Sequence, residues 1–156
     1  MKYVLLAALG LLSACQSAHY ANYSGDDSAT LVFTSDGVTA QPVICAAEKQ
    51  LRNTDLSVGL GGYKMLEDLN EAMKKSPEVR TMIPANSTVT AGFRHSQRGR
   101  LEARKLCLRT VSFDSVTGET YRLHLEKSPA CAISAFRLDG DVWVEQSVKP
   151  SDGACP

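Results

Sequence analysis

The sequence has little that would serve catalysis, and it has no apolar run long enough to span a bilayer. The patterns G-x-S-x-G, H-E-x-x-H and the phosphate-binding P-loop are all missing. The apolar run at residues 4–12 falls well short of the about 20 residues that a membrane-spanning helix needs. Neither sign of charge prevails, because 17 basic residues face 17 acidic ones. These absences predict a protein that is not an enzyme, needs no cofactor and does not bind nucleic acid.

The amino-terminal residues have the pattern of a secretory signal. Lys2 supplies a positive charge, the apolar run at residues 4–12 follows, and the letters LSAC at residues 12–15 end the pattern. This ending resembles the lipobox of bacterial lipoproteins. The resemblance implies cleavage before Cys15, lipid (palmitate among the chains) on that residue, and a domain held outside the cytoplasm. The alternative is an ordinary secretory signal with an unrelated cysteine near its cleavage site.

The lipobox resemblance also implies a location and a domain layout. In Gram-negative lipoproteins an Asp after the modified cysteine tends to retain the protein at the inner membrane. Gln16 stands there, so the resemblance implies the outer membrane, with the domain on its periplasmic side. We predict a signal peptide at residues 1–14, a lipidated cysteine and flexible tether at residues 15–28, and one domain at residues 29–156.

Four cysteines remain after Cys15, and their even number in an exported chain predicts two disulfides. Three connectivities are possible. We favour Cys45–Cys107 with Cys131–Cys155, because the second bond would tie the last residues to a strand edge. No C-x-x-C pair and no Cys/His spacing indicates a metal site.

The pattern of apolar residues predicts a mainly β fold. Short alternating segments separated by turn residues are typical of an antiparallel β-sandwich and not of a parallel sheet. One short helix is predicted over residues 63–75 from its apolar stripe. Asp36-Gly37 predicts a hairpin between the first two strands, and Pro42 is expected to interrupt the second or place it at an edge. Strands are predicted at residues 29–34, 38–40, 79–83, 87–93, 105–113, 120–126, 132–138 and 141–147.

Residues 112–121 contain a strand, a glycine turn and Tyr121 at the start of the next strand. This resembles a hairpin of immunoglobulin-like and transthyretin-like sandwiches, in which such a tyrosine packs inward and its hydroxyl bonds the turn backbone. Together with residues 83–86 and Cys131, it makes residues 79–138 resemble the core of small bacterial β-sandwich lipoproteins. That resemblance implies no catalytic residue.

Residues 94–109 concentrate five arginines and one lysine against a single glutamate. Guanidinium groups suit bidentate recognition of phosphates and carboxylates, so this segment is a candidate to bind an acidic protein patch, lipopolysaccharide or peptidoglycan. No aromatic residue stands among these charges, which argues against nucleic acid. The competing interpretation is a solvated hairpin whose charge keeps an edge strand from aggregating. The candidate binding residues are Arg94, Arg98, Arg100, Arg104 and Lys105.

Three classes of function remain open. The first, which we favour, is a non-catalytic envelope lipoprotein whose tethered sandwich binds or braces a partner protein. The second is a binder of anionic envelope glycan or lipid through residues 94–109. The third is an enzyme, or an enzyme inhibitor, that acts from a loop such as residues 52–62. For His124 we expect a position in solvent, on the face opposite Leu123 and Leu125.

Overall fold

The computed structural model describes residues 19–36, 39–47, 49–54, 57–58, 78–97, 105–126, 131–151 and 153–155. Within these ranges the chain forms eleven β-strands and no helix, so the mainly β prediction is confirmed. The helix predicted over residues 63–75 lies outside the described residues. The strands are β1 (Ser28–Ser35), β2 (Thr39–Cys45), β3 (Leu51–Asn53), β4 (Ser57–Val58), β5 (Glu78–Pro84), β6 (Ser87–Gln97), β7 (Lys105–Ser115), β8 (Thr120–Leu125), β9 (Ile133–Asp139), β10 (Val142–Glu145) and β11 (Lys149–Pro150).

The strands form two sheets. The first has the order β10-β9-β8-β1-β5, and the second has the order β11-β7-β6-β2-β3 with β4 also paired to β2. All these pairs are antiparallel except β1 with β8, which run parallel. The expectation of antiparallel sheets is therefore wrong for that pair. The two strands are far apart along the chain, so no tight turn forces them to run in opposite directions.

One apolar core lies between the two sheets. Leu31 and Phe33 from β1 and Phe93 from β6 are fully buried in it. The rings of Phe33 and Phe93 meet edge to face across the two sheets, with their centroids 5.5 Å apart. Because side chains alternate along a strand, alternate residues in the middle of β1 and β6 enter this core, namely Ala29, Leu31, Phe33, Val89, Ala91 and Phe93.

Tyr121 links the β7–β8 turn to the core in the way that the hairpin resemblance implies. The residue is 3% exposed, and its ring centroid lies 5.0 Å from that of Phe113. The Val116 N–H in the turn donates a hydrogen bond to the Tyr121 hydroxyl oxygen at 3.1 Å. Burial raises the pKa of this hydroxyl, and the hydrogen bond from Val116 opposes the rise. The inward position and the bond to the turn are thus confirmed.

The first two strands do not form the predicted hairpin, because β1 lies in the first sheet and β2 in the second. Pro42 does not interrupt β2 either. Along the outer side of β2, β4 pairs with Thr39 and Ala40, whereas β3 pairs from Val43 onward. Pro42 therefore stands at the gap between two short strands, where a missing N–H leaves no sheet partner unsatisfied.

Candidate functional site

The four cysteines after Cys15 form two disulfides, but not with the connectivity that we favoured. Cys45 is bonded to Cys155, with the Cα atoms 5.6 Å apart, and Cys107 is bonded to Cys131, with the Cα atoms 6.5 Å apart. The prediction of two disulfides is confirmed, and the pairing Cys45–Cys107 with Cys131–Cys155 is wrong. Sequence spacing could not show that the carboxyl-terminal residues return to the second sheet.

The carboxyl-terminal tail reaches Cys45 by folding along the second sheet beside β7. The Ser151 N–H donates to the Thr110 carbonyl oxygen at 3.0 Å, and the Gly153 N–H donates to the Thr110 hydroxyl oxygen at 2.7 Å. These bonds hold the tail against Thr110 of β7. The sulfur of Cys155 is thereby brought to the end of β2, where Cys45 lies.

Residues 19–23 contact both sheets, so the prediction of a flexible tether is wrong for these residues. The Tyr20 N–H donates to the Asn53 carbonyl oxygen in the second sheet at 2.6 Å, and the Tyr20 side chain packs against the core. In the first sheet, the Met82 N–H donates to Asn22 Oδ1 at 3.0 Å, and the Met82 carbonyl accepts from the Tyr23 N–H at 3.0 Å. This amino-terminal segment therefore bridges the outer edges of β3 and β5. We call residues 19–23 the docked segment.

A cleft of about 770 Å³ lies beside the docked segment. Apolar side chains at the end of β2 and the start of β6 line it, together with Tyr20, Tyr23, Ala47 and Arg52, which we call its rim. The Tyr20 hydroxyl donates to the Met82 carbonyl oxygen at 3.2 Å, and the Tyr23 hydroxyl donates to Asp27 Oδ1 at 2.6 Å. Burial raises the pKa of Tyr20, and a hydrogen bond to Asp27 is the main cause that raises the pKa of Tyr23. Both hydroxyls therefore stay protonated and uncharged at neutral pH. The cleft is lined by His19, Tyr20, Ala21, Tyr23, Ile44, Cys45, Ala46, Ala47, Arg52, Pro84, Thr88 and Val89.

Of the basic segment, residues 94–109, the structure describes residues 94–97 at the end of β6 and residues 105–109 at the start of β7. The cleft includes Thr88 near the start of β6, whereas the last pair of the β6–β7 ladder is Gln97 with Lys105. Arg94 is exposed on β6, and Lys105 begins β7. Eleven residues of β6 separate the two ends by about 33 Å. Three predicted site residues, Arg98, Arg100 and Arg104, lie outside the described residues.

A polar cluster that sequence reasoning did not identify lies on the outer face of the first sheet. Thr34 Oγ1 is 2.8 Å from His124 Nδ1, and His124 Nε2 is 3.0 Å from Asp36 Oδ1. The face of His124 is the one predicted, but its side chain is 27% exposed and has polar partners instead of standing in solvent. Only the parallel pairing of β1 with β8 brings these residues together, and that pairing leaves no signal in the sequence.

The order hydroxyl, imidazole, carboxylate in this cluster matches the chemical order of a catalytic triad. Thr34, however, lies within β1 and is paired on both sides, with Glu78 of β5 and His124 of β8. Sheet pairing therefore occupies the backbone around the hydroxyl, where an acyl-transfer site needs N–H donors for an oxyanion. We interpret the cluster as a polar network that joins β1 to β8.

A second outer-face feature is a stack of Arg122 with two aromatic rings. The guanidinium carbon lies 4.9 Å from the centroid of Phe136 and 4.2 Å from that of Trp143. Burial lowers the pKa of Arg122, although the group stays charged at neutral pH. The stack ties β8, β9 and β10 together and directs the guanidinium onto aromatic rings.

Two further observations bear on ligands and membranes. Within the part of the chain that the structure describes, no group of three or more His, Cys, Asp or Glu residues is placed to hold a metal ion. The same ranges include no helix with the length and apolarity that crossing a bilayer requires. Comparison of the sequence with protein-family models and with curated proteins finds no match to either.

Proposed function

We propose that this chain is a non-catalytic lipoprotein of the bacterial envelope, anchored through lipid on Cys15, whose β-domain binds or braces a partner in the periplasm. The disulfide pairing is the observation that supports this most strongly. The four other cysteines are bonded to one another, which leaves Cys15 outside both disulfides. Two disulfides also suit an oxidising compartment, which is where a cleaved signal would deliver the chain.

The proposal includes the type of sandwich that the domain forms. Two sheets share one core, and the Tyr121 hydroxyl accepts a hydrogen bond from the Val116 N–H in the turn before β8. Both features support an immunoglobulin-like or transthyretin-like β-sandwich, with β1 as a strand that pairs parallel to β8. Such a domain serves as a rigid scaffold, and its function then lies in the surfaces that it presents.

The two ends of the domain suit different tasks. The docked segment brings the chain that follows Cys15 to the end bearing the cleft, and the last pair of the β6–β7 ladder, Gln97 with Lys105, lies at the other end of β6. A partner that uses the basic segment would therefore meet the domain about 30 Å from the anchored end. This separation favours a second candidate function, the binding of peptidoglycan carboxylates or another anionic envelope component through Arg94, Arg98, Arg100, Arg104 and Lys105.

Replacement of Arg98, Arg100 and Arg104 together by glutamine tests both candidates. Each lost charge-assisted hydrogen bond weakens binding, so we expect about a tenfold or greater fall in affinity for an anionic partner. Binding should also weaken steeply with added salt. The measurement is short-range crosslinking of the lipidated protein in its own envelope, followed by mass spectrometry, with sedimentation on purified peptidoglycan as the direct assay.

A matched control removes three positive charges elsewhere, through Arg80→Gln, Arg137→Gln and Lys149→Gln on β5, β9 and β11. If the basic segment binds, only the first triple variant loses its partner. A protein partner that crosslinks equally to both triple variants would support the adaptor function through another surface. Unchanged peptidoglycan binding in the first variant would contradict the second candidate.

A further inference from the structure

We propose that the rim of the cleft is a membrane-docking surface that rests on the phospholipid headgroups of the bilayer holding Cys15. This inference rests on the proposed lipid anchor and adds an orientation and a lipid-contacting surface to it. The occupant of the surface is the headgroup layer of a phospholipid bilayer. Its chemistry is zwitterionic and anionic phosphate above an apolar interior.

The chain between Cys15 and the docked segment is short. Hydrogen bonds and packing fix the docked segment from Tyr20 onward, and His19 forms a bridge with Asn53. Only four residue steps separate Cys15 from His19. A fully extended chain of that length spans at most about 14 Å. The lipid on Cys15 would therefore hold the side of the domain that carries His19 close to the bilayer surface.

The side chains at the rim of the cleft are of types that occur at the surface of a bilayer. Tyr20 and Tyr23 combine apolar rings with uncharged hydroxyls, a residue type that is enriched where headgroups meet acyl chains. Their hydroxyls donate to the Met82 carbonyl oxygen and to Asp27 Oδ1. Lys49 is exposed in the turn that its own N–H closes onto the Ala46 carbonyl, and Arg52 lines the cleft. Cations in such positions are attracted to lipid phosphates.

Two acidic residues, Asp26 and Asp27, follow the docked segment, and both are exposed. Asp27 accepts a hydrogen bond from the Tyr23 hydroxyl at 2.6 Å. Lys49 and Arg52 stand before and within β3 of the second sheet, whereas Asp26 and Asp27 precede β1 of the first sheet.

The test places a fluorescent reporter at each end of the domain in the full-length, lipidated protein. Trp143 is the single tryptophan, so Trp143→Phe removes the tryptophan fluorescence of the parent chain. Ala47→Trp then reports from the exposed rim of the cleft, and Leu106→Trp reports from β7 at a side chain that is 66% exposed. Leu106 pairs with Ser96, about 26 Å along β6 from Thr88.

The proteins are reconstituted in vesicles of phosphatidylethanolamine and phosphatidylglycerol whose chains carry bromine near the headgroups. We expect bromine to reduce the emission of the Ala47→Trp reporter about twofold or more and to leave the Leu106→Trp reporter unchanged. Addition of Lys49→Gln and Arg52→Gln should restore most of the Ala47→Trp emission. Mass spectrometry of the Cys15 peptide accompanies each sample.

The outcomes separate the orientation from the anchor. Equal quenching of both reporters, or quenching of Leu106→Trp alone, on a protein with lipid on Cys15 would overturn only the orientation. Emission from Ala47→Trp that bromine does not reduce would also overturn only the orientation. An acyl chain of Cys15 lying in the cleft would give this result. Absence of lipid on Cys15 would overturn the proposed anchor together with the orientation.

Discussion

A chain in which both Cys45 and Cys155 are replaced by serine should lose about 4 kcal/mol of unfolding free energy. The bond joins residues that are 110 positions apart, and closing a loop of about 100 residues removes close to 4.7 kcal/mol of chain entropy from the unfolded state. Loss of the bond also frees the tail that Thr110 holds. Urea denaturation, read by circular dichroism, measures the difference from the parent chain.

The matched control is replacement of Cys107 and Cys131, which are 24 positions apart, with an expected loss of about 3 kcal/mol. Thiol counting sharpens the comparison. Each double variant should contain no free thiol other than the proposed lipid site, because its remaining two cysteines are bonded to each other. Two reactive thiols in the variant lacking Cys45 and Cys155 would contradict the observed connectivity, because both other pairings of the four cysteines leave Cys107 and Cys131 without a partner in that variant.

Gly92→Ala should destabilise the domain by about 3 kcal/mol, because β6 and β7 approach too closely there to accommodate a methyl group. A Cβ atom at position 92 would collide with the carbonyl oxygen of Arg109 and would lie 2.7 Å from the Cα of Thr110. Both contacts are with the backbone of a paired strand, which cannot move aside without breaking the ladder. Thermal unfolding of the variant and the parent chain gives the measurement.

Gly118→Ala provides the control for loss of a glycine without a clash. Gly118 has φ of +79°, and an added Cβ would meet nothing within 4 Å. The expected loss of about 1–2 kcal/mol then comes from the left-handed backbone conformation alone. If Gly92→Ala proves no more destabilising than Gly118→Ala, the close approach of β6 and β7 is not a constraint on the fold.

Local patterns allowed the strands to be predicted, because each depends on neighbours in sequence. Alternation placed most strands near their observed bounds, and Asp139-Gly140 lies between the paired strands β9 and β10. The inward position of Tyr121 also follows from a local motif, a glycine turn next to a strand. The β fold could thus be predicted from segments of about ten residues.

Long-range pairings could not be predicted in this way. The parallel register of Thr34 with His124 and the return of the tail to Cys45 join residues that are 90 or more positions apart. No local preference selects among such partners, since packing of the whole core decides them. The docked segment illustrates the same limit, because its polar composition resembles a tether while Tyr20 and Asn22 bind two different sheets.

We propose that Cys15 carries lipid and that the domain remains attached to the envelope through it. Mass spectrometry of the amino-terminal peptide of the mature protein, purified from its own membranes, tests this most directly. We expect a chain that begins at Cys15 with acyl chains on that residue, and a Cys15→Ser chain that appears in the soluble fraction. A mature chain that begins elsewhere, or one with an unmodified Cys15 thiol, would contradict it.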